Sequence, residues 1–218
     1  MIMKDFHKYQ QLMEDRRLAF GENGALCGYR FEMDNGLVPQ LRYARKYVEL
    51  WDQMKEKNMG LLFWGSPGNG KTFAAACIAN AFLESEEPFV PKVIMTTFGI
   101  ILRQLLARSP QEKEIYMNRL MDCGLLILDD FGMERQSDYA REQVFNIVDG
   151  RYLARKPMIV TTNLTLNQLK SPETMADQRI YDRILELCVP VCFNGESLRQ
   201  SRGAEKMALF RELAKEGE

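Results

Sequence analysis

Short unbroken apolar runs alternate along this chain with longer stretches whose apolar positions recur every three or four residues. The runs are Leu61-Leu62-Phe63-Trp64, Val93-Ile94-Met95-Thr96, Leu125-Leu126-Ile127-Leu128, Met158-Ile159-Val160-Thr161-Thr162 and Val189-Pro190-Val191-Cys192-Phe193. Unbroken rather than alternating character predicts strands covered on both faces. Helical spacing predicts helices over 4–20, 40–58, Lys71 to about Glu86, 98–108, 111–122, 137–154, 173–187 and 202–216. In 40–58 the apolar stripe is Leu41, Ala44, Tyr47, Val48, Trp51 and Met54, and in 137–154 it is Val144, Ile147, Val148 and Tyr152. Gly21-Glu22-Asn23-Gly24 and Asn58-Met59-Gly60 interrupt the pattern. Strands separated by helices predict an α/β fold of three layers, with a five-stranded, mainly parallel sheet flanked by helices. Pro190 lacks an amide donor, which places the fifth strand at a sheet edge.

Composition narrows the function classes. The 218 residues suffice for one large domain or two small ones, and 46% apolar content supports a real core. Charged residues make up 27% and nearly cancel to a net charge of -1, which excludes a strongly basic, histone-like mode of nucleic-acid binding but not a local basic stripe. Cys27, Cys77, Cys123, Cys188 and Cys192 form no Cys-x-x-Cys pair and His7 is the sole histidine, so no zinc site is expected. Odd cysteines in apolar runs read as reduced, buried thiols. With no signal-like start and no apolar stretch near the roughly 20 residues of a bilayer span, a soluble, cytoplasmic protein without a membrane partner is expected.

The strongest chemical signal follows the first apolar run. Gly65-Ser66-Pro67-Gly68-Asn69-Gly70-Lys71-Thr72 meets every position of the phosphate-loop pattern G-x-x-x-x-G-K-S/T, between a predicted strand and a predicted helix. The glycines let successive amides turn toward phosphate oxygens, and the helix adds its positive N-terminal end. Lys71 is expected to reach the β- and γ-phosphates, and the Thr72 hydroxyl to ligate Mg²⁺. Phe73 adjoins the loop and joins the expected nucleotide contacts.

Three further clusters come later. Asp129-Asp130 ends the third apolar run, where two acids are costly unless they meet a metal, water or a cation. Asp129 is expected to hold Mg²⁺ and Asp130 to orient an attacking water as general base. The alternative is an ordinary acidic turn. Asn163 follows Thr161-Thr162, and beside the phosphate-loop strand its amide would lie near the γ-phosphate; equally, Asn caps turns. Arg179 and Arg183 share one helical face, and Arg199 and Arg202 follow the fifth run. Such arginines can stabilise a transferring phosphoryl group in cis or from a neighbouring subunit. They can also lie on a solvated face or pair with acids such as Glu186.

The order phosphate loop, Asp-Asp strand end, polar Asn strand end and late arginines resembles that of the AAA+ ATPases. The chain is similar to the DnaC-type helicase loaders and the IstB-type transposase helper ATPases from about Phe31 to the end, most specifically at Gly60–Gly65, Leu125–Gly132, Thr161–Leu164 and Arg179–Arg183, with Tyr47-Val48-Glu49 in the lead-in. The resemblance implies an AAA+ ATPase domain over 31–218, preceded by an arm of residues 1–30 too short for the loaders' separate helicase-binding domain. It implies ATP as the nucleotide, Asn163 as the sensor of the γ-phosphate, Arg183 as an arginine finger acting on a neighbour's ATP, and Arg199 as a second sensing arginine. Many relatives carry Glu where this chain has Asp130, and the shorter side chain implies slow turnover.

The leading expectation is a switch ATPase of DNA replication, a loader that forms an ATP-dependent homo-oligomer on single-stranded DNA and places a replicative helicase. Its DNA contacts would be salt-sensitive, with Arg103 and Arg108 as candidates. An IstB-like helper with a transposase as partner uses the same core. Outside that class stand a small-molecule kinase, disfavoured by the paired acids and the polar fourth-strand end, and a nucleotide-gated binding module.

Overall fold

The computed structural model describes residues 2–21, 24–132, 137–172, 174–195 and 197, and the isolated positions 203, 206, 207, 210 and 211. Its strands are β1 (Gly60–Trp64), β2 (Val93–Thr97), β3 (Leu125–Phe131), β4 (Met158–Thr162) and β5 (Cys188–Cys192). They form one parallel sheet in the order β2-β3-β4-β1-β5. The strand leading into the phosphate loop therefore lies between β4 and β5. Pro190 sits in β5, an edge strand, as its missing donor requires.

The helices are α1 (Ile2–Phe20), α2 (Leu41–Glu49), α3 (Trp51–Glu56), α4 (Lys71–Glu84), α5 (Phe98–Leu106), α6 (Pro110–Asp122), α7 (Asp138–Leu153), α8 (Leu166–Lys170) and α9 (Met175–Leu187). Alternate strand residues feed two cores. Leu61, Phe63, Met95, Leu125 and Ile127 face a layer containing Ala44, Trp51, Ile78 and Phe82. Leu62, Ile94, Leu126, Leu128 and Val160 face one containing Ile101, Leu120, Ile147 and Ile184. This is why the runs read as unbroken: both faces of every central strand are covered.

The helix expected over 40–58 is broken at Leu50, whose φ/ψ of -104°/22° separates α2 from α3. The helix expected to begin at 111 starts at Pro110, behind a capping box made by Ser109 and Glu112. The helix after the phosphate loop ends at Glu84. Residues 166–170, not expected to be helical, form α8 behind a Thr165–Gln168 capping box, and 24–28 and 31–33 form short 3₁₀ turns. The helix expected over 202–216 lies almost wholly outside the described residues. Cys77, Cys123 and Cys188 are buried thiols, while Cys27 and Cys192 are half-buried.

Residues 2–20, set apart above as an arm, pack as α1 against β2 and α4, with Ala19 and Phe20 buried. Arg16 and Arg30 both pair with Glu84 at the end of α4. Asn80 of α4 donates to the carbonyls of Leu26 (2.8 Å) and Tyr29 (3.0 Å). These bonds hold the stretch before β1 over the first turns of α4, where it becomes a wall of the site. Among the described residues no helix is long and apolar enough to cross a membrane.

Candidate functional site

β1 ends at Trp64 and the chain turns at Gly65, whose backbone runs so close to β5 that a Cβ there would lie 2.3 Å from the Phe193 carbonyl oxygen. The Asn69 amide donates to that same oxygen at 3.1 Å and ties the tip of the loop to the end of β5. Gly70, at φ 90°, then turns the chain into α4 as its N-cap, a conformation that disfavours side chains. Lys71 is buried, and its ammonium donates to the carbonyls of Gly65 (2.7 Å) and Ser66 (2.8 Å). The cation is thereby held over the loop, next to amides at a helix N-terminus, where phosphate groups bind favourably.

The acidic strand end carries a β-bulge. Leu128 pairs with Val160 but Phe131 pairs with Thr162, so Asp129 and Asp130 together oppose Thr161. The bulge puts Asp130 in the left-handed region, at φ 52°. Its amide donates to Thr161 Oγ1 at 2.9 Å. The Thr161 hydroxyl in turn donates to Asp129 Oδ1 at 2.6 Å, and the Thr72 hydroxyl donates to the same oxygen at 3.0 Å. Asp129 is buried while the Asp130 side chain is exposed. Burial pushes the Asp129 carboxyl above its ordinary value, the neighbouring Asp130 charge adds to this, and the two hydroxyl bonds oppose it.

This arrangement fits Mg²⁺. Thr72 and Asp129 offer hard oxygen donors in contact with one another, as the ion prefers, and a dication would relieve the desolvated carboxylate.

One cavity of about 200 Å³ collects the motif residues. Lys71, Thr72, Asp130 and Asn163 all line it. Asn163 arrives there because β4 lies beside β1. Tyr29, Val38 and Phe73 line it too, together with Asp34 and Asn35, with the Tyr29 and Phe73 rings edge-to-face at 5.2 Å. Pro67, Gly68 and Gly70 complete the loop side. A larger cavity of about 520 Å³, between α2 and β5, holds none of the motif side chains.

Two groups of site residues escaped the sequence reading. Tyr29 and Val38 come from a stretch without periodicity, and only its attachment to α4 brings them to the cavity. Thr161 was legible as a polar residue in an apolar strand, but its partner was not.

The late arginines lie elsewhere. Arg183 on α9 pairs with Asp149 of α7 (Nε to Oδ1, 3.1 Å), stacks over the Tyr152 ring at 4.0 Å and has Glu186 at 3.8 Å. It does not line its own chain's phosphate cavity. Arg179 lies beside a separate cavity with Asp138, Arg141 and Glu142. Arg199 and Arg202 lie outside the described residues. Arg103 is on α5, and Arg108, just past its end, stacks over Tyr116 at 4.6 Å.

The sequence pattern of the IstB-like ATP binding proteins matches residues 6–206. The replicative helicase loader DnaC of Escherichia coli (strain K12) is 29% identical over 181 residues, covering 82% of this chain and 70% of the loader. The replicative helicase loader DnaI of Bacillus subtilis (strain 168) is 29% identical over 206 residues, covering 88% of this chain and 64% of that one. A crystal structure of DnaI superposes with a TM-score of 0.64 at 22% identity, covering 81% of this chain and 98% of the solved one, a likeness of fold.

Proposed function

The chain belongs to the IstB-like ATP-binding family of AAA+ proteins, and on that premise we propose that it is a slow ATPase of DNA replication that assembles on single-stranded DNA and helps to place a replicative helicase. The observation that carries this reading is the convergence of Lys71, Thr72, Asp130 and Asn163, from three separate strand ends, on one cavity. Its likeness to two replicative helicase loaders over most of the chain supports the replication role.

In this reading the loop amides and Lys71 bind the β- and γ-phosphates of ATP. Thr72 and Asp129 would hold Mg²⁺, which supplies charge neutralisation at those phosphates. Asp130, exposed at the cavity wall, orients and deprotonates water. Its carboxylate is one methylene shorter than a glutamate, so the water must be drawn closer and turnover is slow. The Asn163 amide contacts the γ-phosphate. Tyr29, Val38 and Phe73 form the apolar side on which adenine rests. Arg183, presented outward on α9, serves the ATP of an adjacent subunit. Arg199 as a second sensing arginine, Arg103 and Arg108 as contacts to single-stranded DNA, and a cytoplasmic setting belong to the same proposal.

Light scattering with ATP, with ADP, and with ATP plus single-stranded DNA tests it, using wild type and Arg183→Ala. Assembly that requires ATP and DNA and fails in Arg183→Ala is the expected result. A chain that binds ATP yet stays monomeric throughout overturns the assembly mechanism and leaves a monomeric nucleotide switch. The IstB-like family match favours a second partner class, a transposase on duplex DNA. Pull-down of purified helicase against purified transposase separates the two.

A further inference from the structure

Thr161 is fully buried in β4, two residues before Asn163, and its hydroxyl is used twice. It accepts the amide of Asp130 at 2.9 Å and donates to Asp129 Oδ1 at 2.6 Å. The first bond answers a specific need. The bulge shifts β3 out of register with β4 between Leu128 and Phe131, and the Thr161 side chain takes up an amide inside that irregular stretch. A buried amide without a partner is costly. The second bond fixes the carboxylate: with both hydroxyls of Thr161 and Thr72 on Oδ1, the rotation of the Asp129 carboxyl is set. A single oxygen atom thus joins the backbone of the candidate base, the side chain of the candidate Mg²⁺ ligand and the strand that carries the candidate γ-phosphate sensor.

We propose that Thr161 is a positioning residue for ATP turnover, holding Asp129 and the left-handed Asp130 in register with the Asn163 strand end. The inference rests on the ATPase reading above. Thr161 does not line the cavity; its hydroxyl acts through the two aspartates. A valine at this position has the same shape and neither bond. A serine keeps both.

The test compares wild type, Thr161→Val and Thr161→Ser in the full chain. Binding of a fluorescent ATP analogue is measured in chelator and in Mg²⁺, and phosphate release at saturating ATP. Removing a partner that orients a metal ligand typically costs about 10–100-fold in metal affinity or activity. Thr161→Val is expected to bind the analogue in chelator within about twofold of wild type, to lose most of the Mg²⁺-dependent gain in affinity, and to lose about 10–100-fold in kcat. Thr161→Ser is expected to restore both within about threefold. If Thr161→Val does not fold, Thr161→Cys, the size of serine with a weak donor, takes its place beside Thr161→Ser. Wild-type turnover and Mg²⁺ response in the variant lacking the hydroxyl overturn the inference, as does a serine variant no better than it. An Asp130→Asn control distinguishes the two levels. If that control loses turnover while Thr161→Val does not, this inference alone falls. If Asp130→Asn turns over normally and Mg²⁺ leaves binding unchanged even in wild type, both fall.

Discussion

Arg183 Nε lies 3.1 Å from Asp149 Oδ1, so the arginine proposed to serve a neighbouring subunit is already docked between two helices of its own. Tyr152 supports it from the face, and the Tyr152 hydroxyl donates to Glu186 at 2.7 Å. The guanidinium side chain is still 36% exposed. A partly exposed pair and a stacking contact together are worth about 1–2 kcal/mol. Arg183→Ala is therefore expected to lower stability by no more than that in urea unfolding, and to bind ATP normally while failing to assemble. A loss of several kcal/mol would make Arg183 a framework residue of the α7–α9 contact and remove it from the subunit interface.

Asp130 combines a proposed chemical role with a strained backbone, φ 52°. Asparagine tolerates the left-handed region, so Asp130→Asn should fold as wild type does and keep ATP affinity. Loss of a general base typically removes about 100-fold or more of turnover. Asp130→Gly should also lose turnover but gain about 1 kcal/mol of stability through relief of the strain. Urea unfolding beside phosphate release reads both. Retained turnover in Asp130→Asn would assign the water to another group.

Burial raises the folded-state pKa of Asp129 above its ordinary value of 3.8. A group that holds its proton more tightly when folded contributes stability below the ordinary value and loses it as pH rises through the raised one. Above that window the ionised, buried carboxylate is a cost in the Mg²⁺-free protein. Asp129→Asn has no such titration. Its melting temperature relative to wild type should climb as pH is raised across that window. Mg²⁺ with nucleotide should raise the wild type by more than it raises the variant, because only the wild type gains relief of the buried carboxylate on top of the stabilisation from nucleotide on the loop. Thermal melts between about pH 4 and 8, with and without Mg²⁺-nucleotide, give the comparison. A constant difference across that range would mean that Asp129 titrates alike in the folded and unfolded chains.

Arg151 is fully buried, and its guanidinium donates to the carbonyls of Leu120 (2.9 Å), Met121 (3.2 Å), Cys123 (3.1 Å) and Pro157 (2.7 Å). It closes the end of α6 and the turn before β4 at once. Burial pushes its pKa below the ordinary arginine value, with the neighbouring Cys123 thiol opposing the shift. Arg151→Ala leaves those acceptors unpaired beside a void, at a cost of about 3 kcal/mol or more. Chemical denaturation should show that loss, while ATP affinity of the folded fraction stays unchanged. A cost below 1 kcal/mol would mean that water or backbone shifts satisfy the carbonyls.

Local pattern alone identified the strands, the phosphate loop and the acidic strand end. A strand covered on both faces must be apolar throughout, and a loop that wraps phosphate needs glycines and a lysine at set spacing, so each is written in consecutive residues. The edge position of β5 followed from one missing amide donor at Pro190. What needed the tertiary structure was every relation between distant segments. The break at Leu50 interrupts an apolar stripe that continues on both sides, so periodicity could not reveal it. The attachment of residues 24–38 to α4 depends on Asn80 meeting carbonyls far away in sequence, and it brings Tyr29 and Val38 to the cavity. The bulge at Asp129-Asp130 exists only because β4 lies beside β3, and that pairing gives Thr161 its two partners. Spacing put Arg179 and Arg183 on one helix, but only packing against α7 docked Arg183 on Asp149. Sequence records the conformational and burial demands each residue places on its own backbone, whereas the partner of a buried hydroxyl or a surface guanidinium is chosen by chain crossings that no local pattern encodes.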